Sequence, residues 1–512
     1  MAPPGALSRG VTPAIDTGPF FALARLARPA GYFTALTLYV AVGAAATIIF
    51  PPLGVVFLLP VAFAIIAVAP PLKAVPRKLV FTLLLVGALL LPLWPSYLFI
   101  KLGPTPALTP SRLVFYMVSA LWAYDMTFSP LRRAQFIYAV RKSGAVAGLF
   151  FALFALGFLS LPFAEGRAVA APEFFRQAMI WLAPFCATIT YCRRQREFVA
   201  LIKAATIAAV IVALIAIGEF ATRQLLANAL APLVGDDAEW LRNVQALKTR
   251  DGVFRAQSTH THPLSLGEHL SFAAPFAAAF FFSARTMRGR MIWFASLAAI
   301  VAAAIATNSR AAAIVLVLSL GAMALMLAWR ALRRTSASHW RPLAGLAILA
   351  CVVVSPVAVV GVAGVIAGKG GVSASNSTQS RIDQIEMALP KIMKRPIGGY
   401  GTGRAARVLG YWGRTLTLDN FYLSLALDLG LPGPLTFLAM LAAWAFAALK
   451  RSGAAHPHLG VLYLACAASA ISFALDRAII SLTGNLAIVY FMMAAFAGAS
   501  VTFSRRRCRN RA

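Results

Sequence analysis

Long apolar runs recur from one end of this chain to the other, and short clusters of arginine and lysine punctuate them. AATIAAVIVALIAIG at 204–218 is one such run, and RAAAIVLVLSLGAMALMLAWR at 310–330 is another. A bilayer core about 30 Å thick takes roughly 20 apolar residues per helix. Backbone polar groups cannot go unpaired in lipid, so a spanning run is either a helix or one strand of a closed barrel. The short alternating strands of a barrel do not occur in this pattern. With 60% hydrophobic residues and a mean hydropathy of +0.78, the 512 residues exclude a soluble globular protein. The predicted fold is an all-α, polytopic integral membrane protein.

A net charge of +31 would ordinarily suggest nucleic acid as a partner. Here the cations sit in short clusters between apolar runs, as in the cytoplasmic loops of membrane proteins, so no nucleic acid is expected. Five cysteines are an odd number, and no pair has metal-ligand spacing. Cys186, Cys192, Cys351 and Cys466 fall in apolar runs and Cys508 in a basic tail, so no disulfide framework is implied. The first apolar run feeds into another, which argues against a cleavable signal peptide.

Placing the basic clusters on the cytoplasmic side gives about fourteen spans with both termini cytoplasmic, in one integral membrane domain over 1–512. The spans fall near 33–50, 53–70, 79–100, 113–129, 143–163 and 177–192, then one after Lys203 that runs to about Glu219, then 270–284, 291–307, 311–329, 343–367, 421–449, 459–476 and 482–503. Two longer, partly helical segments, 221–268 and 368–420, are left on the outer, extracytoplasmic face. Trp240, Leu241, Val244 and Leu247 recur at helical spacing within the first of these. Both segments are basic, where outer loops are normally depleted of cations.

Three arginine-bearing segments therefore converge on one face. The first, 250–267, holds Arg250, Arg255, His260 and His262. The second is Arg310, in a turn between two spans. The third runs from Arg381 to Asn420 and includes Lys391, Lys394, Arg395, Arg404, Arg407 and Arg414. Guanidinium groups grip phosphate oxygens bidentately. A cationic rim beside a bilayer suits a phosphorylated, lipid-linked molecule, and cations there also stabilise a departing diphosphate. Arg310 would equally snorkel to the headgroups, and Arg381 would equally pair with Asp383 or Glu386. Glycosyl transfer needs a base for the acceptor hydroxyl. Asp419, at the start of the apolar run NFYLSLAL, is the first candidate, and its bland alternative is a helix N-cap. His262, before Pro263, is the second. The GGYGTG stretch at 398–403 lacks a preceding strand and a Lys-Ser/Thr, and reads as a turn that brings backbone close to a partner such as the diphosphate. No acidic or His/Cys set suggests a metal, and no cofactor is expected.

These residues resemble the O-antigen ligase and O-antigen/exopolysaccharide polymerase superfamily. The likeness rests on R-x-G-x-F…HP…LG at 250–267, N-S-R-A-A at 308–312, and R…P…G-x-G-x-G…DN-x-Y-L…L-G-L-P-G from Arg381 to Gly433. It covers about the C-terminal half. The resemblance implies a metal-independent glycosyltransferase whose donor is a glycan on undecaprenyl diphosphate. Arg250 or Arg255 and Arg310 would handle the diphosphate, joined in this reading by Arg381, Arg404 and Asn420. In the ligases a histidine precedes the last motif, and here the position holds Asp419. This departure leans the reading towards a polymerase acting on a glycan or lipid-linked acceptor, with polysaccharide export machinery as a possible partner. The alternatives are a ligase transferring glycan to lipid A core, and a transporter or flippase of lipid-linked glycan. A transporter would place ionisable groups inside its spans, where here Glu219 and Asp125 are the few exceptions.

Overall fold

The computed structural model describes residues 72–95, 97–99, 108–230, 244–250, 252–334, 372–411 and 418–509, with backbone alone at 372–378, 454 and 500–509. The chain divides into two compact units, 1–73 with 126–130, and 74–125 with 131–512. The smaller is described only at 72–73 and 126–130, where the Leu72 N–H donates to the Phe128 carbonyl at 2.9 Å. Everything else here concerns the larger.

Its elements are helices almost throughout. They are α1 (Arg77–Leu93), α2 (Pro110–Phe128), α3 (Pro130–Ser143), α4 (Ala145–Ser160), α5 (Arg167–Gln177), α6 (Ala183–Tyr191), α7 (Gln195–Thr222) and α8 (Leu226–Ala229). A hairpin of β1 (Thr249–Arg250) and β2 (Val253–Phe254) follows. After it come α9 (Pro263–Ser283), α10 (Met287–Ala306), α11 (Arg310–Arg334) and α12 (Val372–Lys394). The series ends with α13 (Ala405–Val408), α14 (Phe421–Leu429), α15 (Pro432–Ala454), α16 (Pro457–Arg477) and α17 (Leu486–Arg509).

The centre is α9. Every residue from Ser265 to Phe280 is buried, which a helix reaches only when neighbours cover it all round. Its glycine, serines and alanines allow that, because small side chains let backbones approach closely. It packs on α7, α10, α11 and α16, while α4 packs on α15, α1 on α7, and α6 on α17. A Cβ on Gly267 would collide with the Ala312 side chain, so α9 and α11 touch at two residues that sequence motifs had marked.

Six described helices are long and apolar enough to cross a membrane: Ala145–Phe163, Gln195–Thr222, Met287–Ala306, Arg310–Leu332, Pro432–Gly453 and Pro457–Arg477. This makes the chain a multi-pass helical membrane protein; among the described residues six such helices stand against the fourteen spans expected over the whole chain. The expected spans at 33–50, 53–70 and 343–367 lie outside the described residues. The remaining differences have local causes. The run at 421–449 is two helices, because Gly430 at φ 76° ends α14 and Pro432 starts α15. The run expected at 177–192 is the end of a longer helical stretch from Arg167 to Tyr191, with a π turn at Ala178–Leu182. The run expected at 270–284 begins earlier, at Pro263, which draws Glu268 and His269 inside the helix. Of the expected surface helix, Trp240 and Leu241 lie outside the described residues, Val244 is buried and Leu247 exposed. The hairpin was not foreseen in an all-α reading, although a D-G pair at 251–252 is its usual turn signal. Cys186, Cys192 and Cys466 are buried free thiols.

Candidate functional site

The first two arginine-bearing segments are joined directly. The β1–β2 hairpin docks on the turn between α10 and α11. The Ala256 N–H donates to the Ala306 carbonyl at 3.0 Å, and Arg255 Nε donates to the Thr307 carbonyl at 2.9 Å. Asn308 Nδ2 donates back to the Arg250 carbonyl at 3.3 Å. Asn308 itself sits at φ 45°, the left-handed region that asparagine tolerates better than most residues. Ser309 then caps α11, its Oγ accepting from the Ala312 N–H at 3.2 Å. Arg310 is thereby fixed as the first residue of α11, half-buried beside the hairpin's docking point.

The cations of this corner press on each other. Burial first, and then the charge of Arg250, pull the Arg255 guanidinium down to about 10. Lys248 is also lowered, by burial and then by Arg255. Arg255 Nη2 is buried without a hydrogen-bond partner, and Arg255 has no ion pair among the described residues. Glu219 is committed elsewhere, to the N–H groups of Leu226, Gln257 and Ser258 at 2.7–2.9 Å. A buried donor with nothing to bind is costly in a folded protein. An arriving anion would remove that cost. Lys248 was missed in the sequence because no motif contains it, although it lies one turn of alternation before Arg250.

His262 caps α9, its Nδ1 accepting from the Leu264 N–H at 3.1 Å. Burial, then Arg255 and Lys248, press its pKa down to about 3. The ring is therefore neutral at ordinary pH, with Nδ1 in use as an acceptor and the proton on Nε2. His260 is likewise lowered to about 3, by burial and then by His269.

The third segment is organised around Asp419. Its carboxylate lies 3.7 Å from Arg381 Nε, a pairing between α12 and the residue before the cap of α14, in place of the sequence neighbours Asp383 or Glu386. Arg381 Nε makes no hydrogen bond, so the ion pair is loose. The Asp419 N–H donates to Gln384 Oε1 at 2.9 Å. Partial burial raises the Asp419 pKa, and Arg381 opposes the rise. The helix cap considered for Asp419 belongs to Asn420, whose Oδ1 accepts from the Leu423 N–H at 3.1 Å. That leaves the Asn420 Nδ2 group as a donor.

Arg404 lies elsewhere in this segment. Its guanidinium packs against Gly166, and its backbone N–H is part of a turn filled by an internal carboxyl. The N–H groups of Gly403, Arg404 and Ala405 all donate to the Asp428 carboxylate at 2.8–2.9 Å. The GGYGTG turn does bring backbone to an acidic group, the Asp428 carboxyl, whose pKa burial raises to about 7 against the pull of those three N–H groups. At Gly399, φ is +57° and a Cβ would stand 2.5 Å from the Asp428 carbonyl oxygen, so glycine is required there.

A fully buried network ties the third segment to α9. Arg477 Nε donates to Glu268 Oε1 at 2.6 Å, Arg477 Nη1 to the Leu482 carbonyl at 2.7 Å, and Asn485 Nδ2 to Glu268 Oε2 at 2.7 Å. The Arg477 guanidinium lies 5.3 Å from the Phe421 ring centroid, two residues beyond Asp419. Ser481 Oγ donates to the Leu418 carbonyl. The span-like composition of 459–476 hid this network, since Arg477 reads from sequence as the charged end of a helix.

Residues 294–438 match the family model described as O-antigen ligase. The matched stretch contains Arg310, Arg381, Arg404, Asp419 and Asn420, while the hairpin with Arg250 and Arg255 precedes it. No curated protein matches the chain.

Proposed function

We infer, for a multi-pass membrane protein whose residues 294–438 belong to the O-antigen ligase family, a glycosyltransferase of surface polysaccharide synthesis. It takes a glycan from undecaprenyl diphosphate at the periplasmic face of the bacterial inner membrane. One observation carries the reading. Arg255 offers a buried, unmet donor in a corner shared with Lys248 and Arg250, beside Arg310, as a diphosphate requires.

In the step proposed, the acceptor hydroxyl oxygen attacks the donor's anomeric carbon. The bond from that carbon to the diphosphate oxygen breaks, and undecaprenyl diphosphate leaves with the electron pair into the guanidinium corner. The acceptor proton passes to Asp419. Its raised pKa suits a base that is ionised yet still basic. His262 suits the role of donor, because its Nδ1 already accepts a backbone N–H and its Nε2 carries the proton. Chain extension is favoured over transfer to lipid A core, since an aspartate stands where the ligases have histidine. The transporter reading is disfavoured by Asp125 and Glu219. Asp125 is bonded to the Val75 N–H and the Tyr191 hydroxyl, and Glu219 to three backbone N–H groups, so neither is left for cargo.

Asp419→Asn in cells, followed by analysis of lipid-linked glycans, tests this. Single repeat units accumulating on the lipid mark a polymerase, and long chains stranded on the lipid mark a ligase. Unchanged surface glycan removes Asp419 from the mechanism, and units trapped facing the cytoplasm sink the enzyme reading in favour of transport.

A further inference from the structure

A cleft with about 140 Å³ of free space opens beside α14, and none of its lining residues belongs to the guanidinium corner. Its walls come from α4, α5, the π turn, the Thr402–Gly403 turn, α14 and the start of α17. Phe174, Trp181, Phe421 and Tyr490 supply aromatic surface, and Trp181 and Tyr490 pack edge to face at 5.8 Å. Gln177, Thr402, Ser424 and Thr483 supply polar atoms among them. Thr402 Oγ1 is buried and has no hydrogen-bond partner. None of the lining residues is lysine or arginine, and Glu173 and Asp428 are both carboxylates.

That chemistry rules out two occupants and suits a third. A diphosphate would find no cation among the lining residues, since Arg176 is already paired with Glu173 and the Asp428 carboxylate already holds three backbone N–H groups. A prenyl or acyl chain would bury Thr402 Oγ1 against hydrocarbon and leave it unmet. A sugar ring has apolar C–H faces for the aromatic walls and hydroxyls for the polar groups. We propose that this cleft is the acceptor subsite and holds an uncharged pyranose ring of the acceptor glycan. Phe421 belongs both to the cleft and to the segment that begins with Asp419, so a sugar seated there brings a hydroxyl towards that carboxylate. The assignment rests on the glycosyltransferase reading for its place in catalysis, but not for its chemistry.

Two measurements test it separately from that reading. In the first, Ser424 is replaced by the photoreactive p-benzoylphenylalanine in the full chain in living cells, with Leu435, an exposed position on α15, as the control site. Irradiation should give a periodate-reactive, carbohydrate-bearing adduct at 424 and none at 435. An adduct containing phospholipid or prenyl lipid alone, or no adduct at 424, overturns the subsite. A glycan adduct in a chain without transferase activity would keep the subsite and sink the enzyme. In the second, Thr402→Val removes only the unmet hydroxyl. In membranes supplied with the cell's own lipid-linked glycan, KM for the acceptor should rise about five- to tenfold at unchanged kcat. Binding of sugar-free undecaprenyl diphosphate should not move. An unchanged KM, or a weakened lipid diphosphate, is the contrary result.

Discussion

Asp419 and Arg381 form a loose pair, and the looseness has a kinetic signature. Arg381 holds the Asp419 pKa down against burial, so Arg381→Gln should let it rise. A base acts when deprotonated, so the acidic limb of the kcat/KM profile should move to higher pH, as a pH–rate series would measure. Arg255 makes a different demand. Arg255→Ala should weaken lipid diphosphate about 10- to 100-fold, the range for a hydrogen bond to a charged group. Arg255→Lys should recover only part of that, since a single ammonium cannot replace the fork that bonds Thr307 with one arm and leaves Nη2 open. Titration of a labelled undecaprenyl diphosphate reads both. The sequence singles these residues out by type, because arginine near a bilayer is costly without a purpose. Their partners were not. Arg381 has Asp383 and Glu386 close by in sequence, but at i+2 and i+5 they lie off its side of the helix, and only the fold reveals that Asp419, just before the cap of α14, is the carboxylate it meets.

At the scale of elements, two internal acidic groups decide what moves and what does not. Asp428 closes the turn at 403–405, so Asp428→Ala would orphan three backbone N–H groups. It should lower stability by about 2–4 kcal/mol, read by thermal unfolding in detergent. The Glu268–Arg477 pair is fully buried on both sides. Arg477→Leu alone strands a buried carboxylate and should cost about 3–5 kcal/mol, whereas Glu268→Leu with Arg477→Leu should cost less than either single change. Sequence periodicity foretold most of the helices themselves. It failed where a local signal outranked hydrophobicity, as at Gly430 and Pro432, which split one apolar run into α14 and α15. The Asp428 turn was half-legible: its glycines announced a backbone shaped for an anion, but the side chain that fills it comes from the next helix.

For the whole molecule, the buried imidazoles set a pH dependence of folding. His262 and His260 titrate near 6.5 when unfolded and are pressed to about 3 when folded. Above pH 6.5 they are neutral in both states, and their contribution is complete. As pH falls below 6.5 the unfolded chain takes up protons that the folded chain refuses, so stability declines. His262→Asn keeps a capping side chain and removes one titrating ring, so the decline in unfolding temperature between pH 7 and 4.5 should be shallower than in the parent. The number of membrane crossings was the least secure inference from sequence. Apolar composition alone does not separate a helix that faces lipid from one, like α9, that faces only protein. That enclosure limits how a turnover can proceed. Walled in from Ser265 to Phe280, α9 has no free side along which to slide, and the arginines hung from its neighbours stand on fixed ground. In the proposed function the saccharide and its carrier, rather than α9, are then the parts that move during turnover.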